Sequence, residues 1–311
     1  MNEIVEKIEC AGHIVLILHE GFDADTIASA SAMYGFLLQK HKKVSWFCKS
    51  GVLDKRFAFL GWFENIKNSY PLSCDLVICF HCATKKRLGV EVECEIINID
   101  NCKKNSRFAD INFIKNDAVS TTEILYDFFI QESVKINKKM ATALYFGLLE
   151  SSESFLSKNV DGTTFALAHK LIELGADYKS CSSGFVQKNS LASLRLKAIM
   201  LKNLSLECDA QIAFFCLNKT EFASSGAELE SCTAAMKEAL GLAYVKVAIL
   251  LAESENLTID GLVFAKDSID ISNIASKIGG FSDCQKVTFS LSSPSIFQAK
   301  DILTNLIKKE L

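Results

Sequence analysis

Four short apolar runs punctuate the first hundred residues: HIVLILH (13–19), KVSWFCK (43–49), DLVICFH (75–81) and EIINID (95–100), each ending on a polar side chain. Runs of this length without alternation predict strands buried on both faces. Between the first two, Ile27, Ala30, Met33, Tyr34, Leu37 and Leu38 recur at helical spacing. That order is a βαβ unit, and its repetition predicts a parallel sheet covered by helices.

Further helices are expected at STTEILYDFFIQ, with Ser120 and Glu123 as a capping box, at KKMATALYFGLLE, and at TTFALAHKLIELGA, stopped by Gly175. The Ser-rich polar stretch 177–196 predicts a domain junction. The expected division is residues 1–180, a connecting linker or helix over 181–200, and a second domain over 201–311. In that second part, AQIAFFCL reads as a strand and Glu228 to Leu240 as a helix. YVKVAILLAESENLTIDGLVFAK reads as two strands joined by the turn SEN. A helix DISNIASKIGG, a strand KVTFSLS and a closing helix IFQAKDILTNLIKK follow. The expectation is a smaller α/β domain with a mixed or antiparallel sheet.

Composition narrows the class. With 49% apolar and 23% charged residues and two prolines in 311, the chain describes a well-folded protein. A net charge of -3 supplies no field toward nucleic acid, which argues against bulk nucleic-acid binding. The N-terminus is too acidic, and its apolar run too short, for a signal peptide, and no run reaches the roughly 18 to 20 apolar residues of a membrane span. A cytoplasmic protein without membrane insertion is expected. The 12 cysteines are scattered through apolar segments and read as reduced buried thiols. Cys79 and Cys82 form a C-x-x-C, but no second pair stands at zinc spacing, so the motif reads as chance.

Ligands of open parallel sheets bind beyond the carboxyl ends of the strands. Three predicted strands end on His19, His81 and Asp100, and Asp23 and Asp25 follow the first. Imidazole with carboxylate suits manganese, iron or zinc, and two carboxylates in one loop can each serve one ion of a pair. Taken singly, each histidine reads equally as a rim residue, and Asp23 or Asp25 as a helix cap. The convergence of three strand ends is what points to a site.

HEGFDADTIASASAMYGFL resembles the first motif of the DHH phosphoesterases, a histidine followed by two aspartates as H-x-x-x-D-x-D. DLVICFHCATKKRLG, EIINIDNCKKNSRFADINFIKNDAVSTTEILYDFF, ATALYFGLLESSESF and DISNIASKIGG keep the family's order, so the likeness spans nearly the whole chain. It is closest to the two-domain branch of nanoRNase and pAp phosphatase, and a C-terminal DHH-associated domain comes with it. The resemblance implies a site cleft between two domains and hydrolysis by two manganese ions.

Carried over residue by residue, the first motif is present as His19, Asp23 and Asp25. The bridging aspartate is replaced by His81, the Asp-His-His triplet reads Asp100, Asn101, Cys102, and a later aspartate is replaced by Ser151. A carboxylate bridges two cations, whereas neutral imidazole offers one lone pair. The expectation is at most one residual divalent ion (manganese, iron or zinc), and no residue is assigned as catalytic. His19, Asp23 and His81 form the candidate set for that ion. In the second domain the family's glycine-rich loop ending in histidine reads GGFSDCQK, with Gly279 and Gly280 kept and Asp283 at the histidine position. Phe264 or Ala265 stands where the family has arginine. Losing those cations opposes phosphate binding. Gly279 and Gly280 read equally as a helix C-cap.

These substitutions predict a pseudoenzyme that binds a protein partner or a small nucleotide. The alternative is an active phosphodiesterase or phosphatase for short oligonucleotides or a small phosphorylated nucleotide, using a rebuilt single-metal site. A homodimer is compatible with either.

Overall fold

The computed structural model describes residues 2–50, 53–186, 190–227, 229–254, 258–266, 269–283, 286–293 and 295–311. The chain divides into two compact units, Met1–Lys188 and Asn189–Leu311.

The first unit runs α1 (Asn2–Cys10), β1 (His13–Leu18), α2 (Ala24–Gln39), β2 (Lys43–Cys48), β3 (Ile66–Lys67), β4 (Leu76–Phe80), β5 (Glu95–Asp100) and β6 (Ile111–Ile114). Helices α3 (Thr121–Gln131), α4 (Lys138–Ser151), α5 (Gly162–Glu173) and α6 (Tyr178–Val186) complete it. Its six strands are all parallel, in the order β3-β2-β1-β4-β5-β6. The strand order reverses between β1 and β4, which opens a crevice at their carboxyl ends.

Strand alternation explains the double burial. Ile14, Leu16, Ile78 and Phe80 face a core with α2, α3 and α4, while Val15, Ile17, Val77 and Cys79 face a second core with Leu88 and Val92. Capping residues set where the helices begin. Ser120 accepts the Glu123 N–H, as expected, but the Glu123 carboxylate accepts from Val119 N–H, so the reciprocal bond of a capping box is shifted by one residue. After α5 the chain turns at Gly175, in the left-handed region.

The second unit contains α7 (Leu191–Lys202), β7 (Leu204–Glu207), β8 (Ile212–Leu217), α8 (Lys219–Ser225), α9 (Thr233–Leu240), β9 (Val247–Glu253) and β10 (Thr258–Ala265). It closes with α10 (Ile271–Ile278), β11 (Phe281–Asp283), β12 (Lys286–Ser292) and α11 (Ile296–Ile307). The sheet order is β11-β12-β10-β9-β8-β7. Among the described residues only β8 and β9 pair in parallel, so the sheet is mixed. Phe214, Ile249 and Leu251 meet α10 and α11 on one face; Phe215, Ala248 and Leu250 meet α7 and α9 on the other. Residue Glu228 and most of the SEN turn lie outside the described residues. No helix among the described residues is long and apolar enough to cross a membrane.

Candidate functional site

The loops leaving β1, β4 and β5 converge at the crevice. His81, the residue after β4, adopts a left-handed φ of 48° that a histidine rarely takes, and its N–H is held by the Ile99 carbonyl at 3.0 Å. The ring is thereby placed between two carboxylates. Its Nε2 lies 3.5 Å from Asp23 Oδ2, and its Nδ1 lies 3.2 Å from Asp100 Oδ1 and 3.0 Å from Asn101 Oδ1. The Asn101 amide is oriented by donating from Nδ2 to the Ala118 carbonyl at 3.1 Å, which turns its oxygen to His81.

Both imidazole nitrogens therefore face oxygen acceptors, the environment of a doubly protonated ring. Burial alone would lower its pKa, but the charges of Asp23, Asp25 and Asp100 outweigh that and raise it to about 10.

The carboxylates are satisfied from within the protein. Asp100, completely buried, accepts from Cys102 N–H at 3.0 Å and from Asn105 Nδ2 at 2.5 Å besides facing His81. Asp25 accepts the Thr121 and Thr122 N–H groups at 2.7 and 3.1 Å, using one oxygen for each. It thus receives the amino end of α3, where unpaired N–H groups and the helix dipole favour an anion. Burial, with repulsion from Asp23, still raises its pKa to about 6 against the attraction of His81. Asp23 is the N-cap of α2, accepting from Thr26 N–H at 2.9 Å and from the Thr26 hydroxyl at 2.8 Å. Its side chain is 52% exposed, so water screens the pair with His81.

His19 is 1% exposed, with Nδ1 3.0 Å from the Glu20 carbonyl and Nε2 3.3 Å from the Thr26 hydroxyl. Burial, reinforced by the positive Arg87, lowers its pKa to about 4 and keeps it neutral. Arg87 holds this loop by donating to the Glu20 and Gly21 carbonyls. Gly147 in α4 lets the cluster pack, since a Cβ there would meet Thr122 at 2.4 Å and Asp25 Oδ1 at 2.9 Å. Ser151, one turn further along α4, takes no part in the cluster's hydrogen bonding among the described residues.

The DHH resemblance implies a pair of divalent ions, and here His81 stands where that resemblance places a bridging carboxylate. Among the described residues, no three His, Cys, Asp or Glu side chains are arranged to hold one ion. The set His19, Asp23 and His81, expected to retain a single ion, lies at this crevice, with His81 between Asp23 and Asp100 and His19 Nε2 facing the Thr26 hydroxyl.

In the second unit Gly279, Gly280 and Phe264 have packing roles. Gly279 is the left-handed C-cap of α10, with φ 67° and its N–H on the Ala275 carbonyl. A Cβ on Gly280 would meet Val287 at 2.7 Å and the Thr288 carbonyl at 2.8 Å. Phe264 is 5% exposed in the core, Ala265 ends β10, and Asp283 ends β11. Cys284, within the same loop, lies outside the described residues.

Residues that sequence reasoning missed are Thr26, Arg87, Asn105, Thr121, Thr122 and Gly147. The capping signal at Ser120 marked the start of α3 but not its carboxylate partner.

Residues 13–148 match the family "DHH family, N-terminal domain", and the first unit is accordingly a DHH domain. The chain is similar to the following relatives. A probable bifunctional oligoribonuclease and PAP phosphatase of Streptococcus mutans is 23% identical over 214 residues, covering 66% of this chain and 66% of that protein. An uncharacterised protein of Mycoplasma genitalium is 28% identical over 55% of this chain and 54% of its own. The chain thus matches about two thirds of the first relative and about half of the second. The bifunctional oligoribonuclease and PAP phosphatase of Thermus thermophilus is 21% identical over 99% of this chain and 93% of its own. In fold, the crystal structure of an exopolyphosphatase-related protein from Bacteroides fragilis aligns over 99% of this chain and 95% of its own, with TM-score 0.88 at 17% identity.

Proposed function

We propose that this chain is a pseudo-phosphoesterase: a DHH protein that has lost two-metal hydrolysis and acts by binding a protein partner or a small nucleotide. The observation that carries this reading is the His81 ring, which faces Asp23 and Asp100 with both nitrogens. An internal cation supplies the positive charge that the carboxylates require. In-line phosphate hydrolysis draws on one ion to activate water and another to stabilise developing charge, and His81 stands where a carboxylate would bridge them. The second unit supports the same reading, because Phe264 is buried and the two glycines serve a cap and a close backbone approach.

The test is elemental analysis of untagged protein run beside hydrolysis of a dinucleotide and of adenosine 3',5'-bisphosphate with added manganese. Less than one ion per chain and no turnover are expected. Manganese-dependent cleavage abolished by Asp25→Asn would overturn the proposal and favour a rebuilt hydrolase.

A further inference from the structure

We propose that Cys74 and Cys94 are a dithiol site that reacts with small disulfides and closes into a disulfide within the first unit. Cys74 stands two residues before β4 and Cys94 immediately before β5. These two strands pair in parallel, and the cysteines lie at their amino ends, away from His81 and Asp100 at the carboxyl ends. Their Sγ atoms are 3.2 Å apart, and the Tyr70 hydroxyl lies 3.2 Å from Cys74 Sγ. Both cysteines are half-buried, so a small molecule reaches them, whereas Cys79 and Cys82 are sealed in the core.

The backbone around the pair is anchored. The Asp75 carboxylate accepts the Gly12 and His13 N–H groups at 2.9 and 2.7 Å, and Ile96 N–H donates to Asp110 at 2.8 Å. The register Leu76↔Glu95 sets Cys94 level with Asp75, one residue on from Cys74, and strands about 4.7–4.9 Å apart with a rise of about 3.3 Å per residue give a diagonal of roughly 6 Å, inside the Cα separation of roughly 4.4–6.8 Å that a disulfide spans. Closure therefore asks for side-chain rotation and little chain movement.

The chemistry balances with a low-molecular-weight disulfide such as oxidised glutathione as the oxidant. The Tyr70 hydroxyl, 3.2 Å from Cys74 Sγ, can donate to a thiolate there, whereas burial raises the Cys94 pKa, so the first attack is assigned to Cys74. The Cys74 thiolate attacks one glutathione sulfur, forming a mixed disulfide and expelling one glutathione thiolate. Cys94 gives its proton to that thiolate, attacks the Cys74 sulfur and expels the second glutathione. Two protein thiols are oxidised by two electrons, and one small disulfide is reduced to two thiols.

The test incubates the native full chain with oxidised glutathione, alkylates the remaining thiols and maps peptides without reductant. A Cys74–Cys94 cross-link is expected, reversed by dithiothreitol, with a thermal midpoint raised by about 5–10 °C. Cys94→Ser, or Cys94→Ala should the serine variant fail to fold, is expected to stop at the glutathione adduct on Cys74 with no rise in midpoint. Wild-type protein that forms only adducts, that joins Cys74 to another cysteine, or that reacts at the exposed Cys10 while Cys74 stays free would overturn the proposal.

Discussion

The carboxyl end of the first sheet and the glycine segment of the second unit have the same apparent status in the sequence, yet the structure treats them in opposite ways. At the first, His19, Asp23, Asp25, His81 and Asp100 remain polar and mostly buried, and are tied to one another and to backbone N–H groups. At the second, Gly279, Gly280 and Phe264 serve a helix cap, a tight backbone contact and the core. The difference teaches that, on the proposed reading, two routes lead away from phosphate chemistry. One rewires charges into an internal network, and the other replaces charge by packing.

The comparison breaks most readily at His81. In His81→Asp, a fourth carboxylate would join Asp23, Asp25 and Asp100 with no internal cation. The His81 side chain is 31% exposed, so removing this partner costs about 1–3 kcal/mol, less than for a fully buried pair. Urea unfolding without metal should show a loss of that size, and added manganese should recover part of it in the variant while leaving the wild type unmoved. Unchanged stability of His81→Asp would mean that the ring does not neutralise the cluster.

Titration offers a subtler probe of the same contact. The folded pKa of His81, about 10, lies above its ordinary value of 6.5. Its contribution to stability is therefore complete below about pH 6.5 and fades as pH rises toward 10. Denaturation midpoints of the wild type should fall across that window, and His81→Gln should lack this part of the slope. A parallel slope in both proteins would assign it to other groups.

Packing tests separate the two regions next. Gly147→Ala and Gly280→Ala each force a methyl into contacts shorter than 3 Å, and each should cost about 1–3 kcal/mol. Only the first involves the charge cluster, since one of its contacts is Asp25 Oδ1. In double-mutant cycles with Asp25→Asn, Gly147→Ala should show coupling of about 0.5 kcal/mol or more, and Gly280→Ala should be additive. Equal coupling in both cycles would erase the distinction.

Much of this was legible in the chain because burial on both faces leaves continuous apolar runs, as in β1, β2, β4 and β5. β3 has only two residues, the four residues of β6 are all half-buried, and β11 is hidden in the glycine segment, so none left such a run. Helix α6 lies within the polar stretch read as a junction. At the site, strand ends exposed five side chains to sequence reasoning. What closes the site did not show: Thr121 and Thr122 act through backbone N–H groups, 96 and 97 residues from Asp25, and a backbone donor carries no side-chain signature.

The smallest expected effect tests whether the second region is only structural. Gly279 ends α10 in the left-handed region, with open space where a Cβ would stand. Alanine there meets no neighbour, so its cost is the backbone strain of a left-handed L-residue, about 1–2 kcal/mol. Asparagine tolerates that conformation and should cost less than alanine. If Gly279 serves only the cap, thermal unfolding should rank glycine above asparagine above alanine, and calorimetric titration of any nucleotide that binds the wild type should give the same affinity in all three. An asparagine variant as stable as the wild type but with weakened nucleotide binding would return this glycine to a binding role and remove the contrast between the two regions.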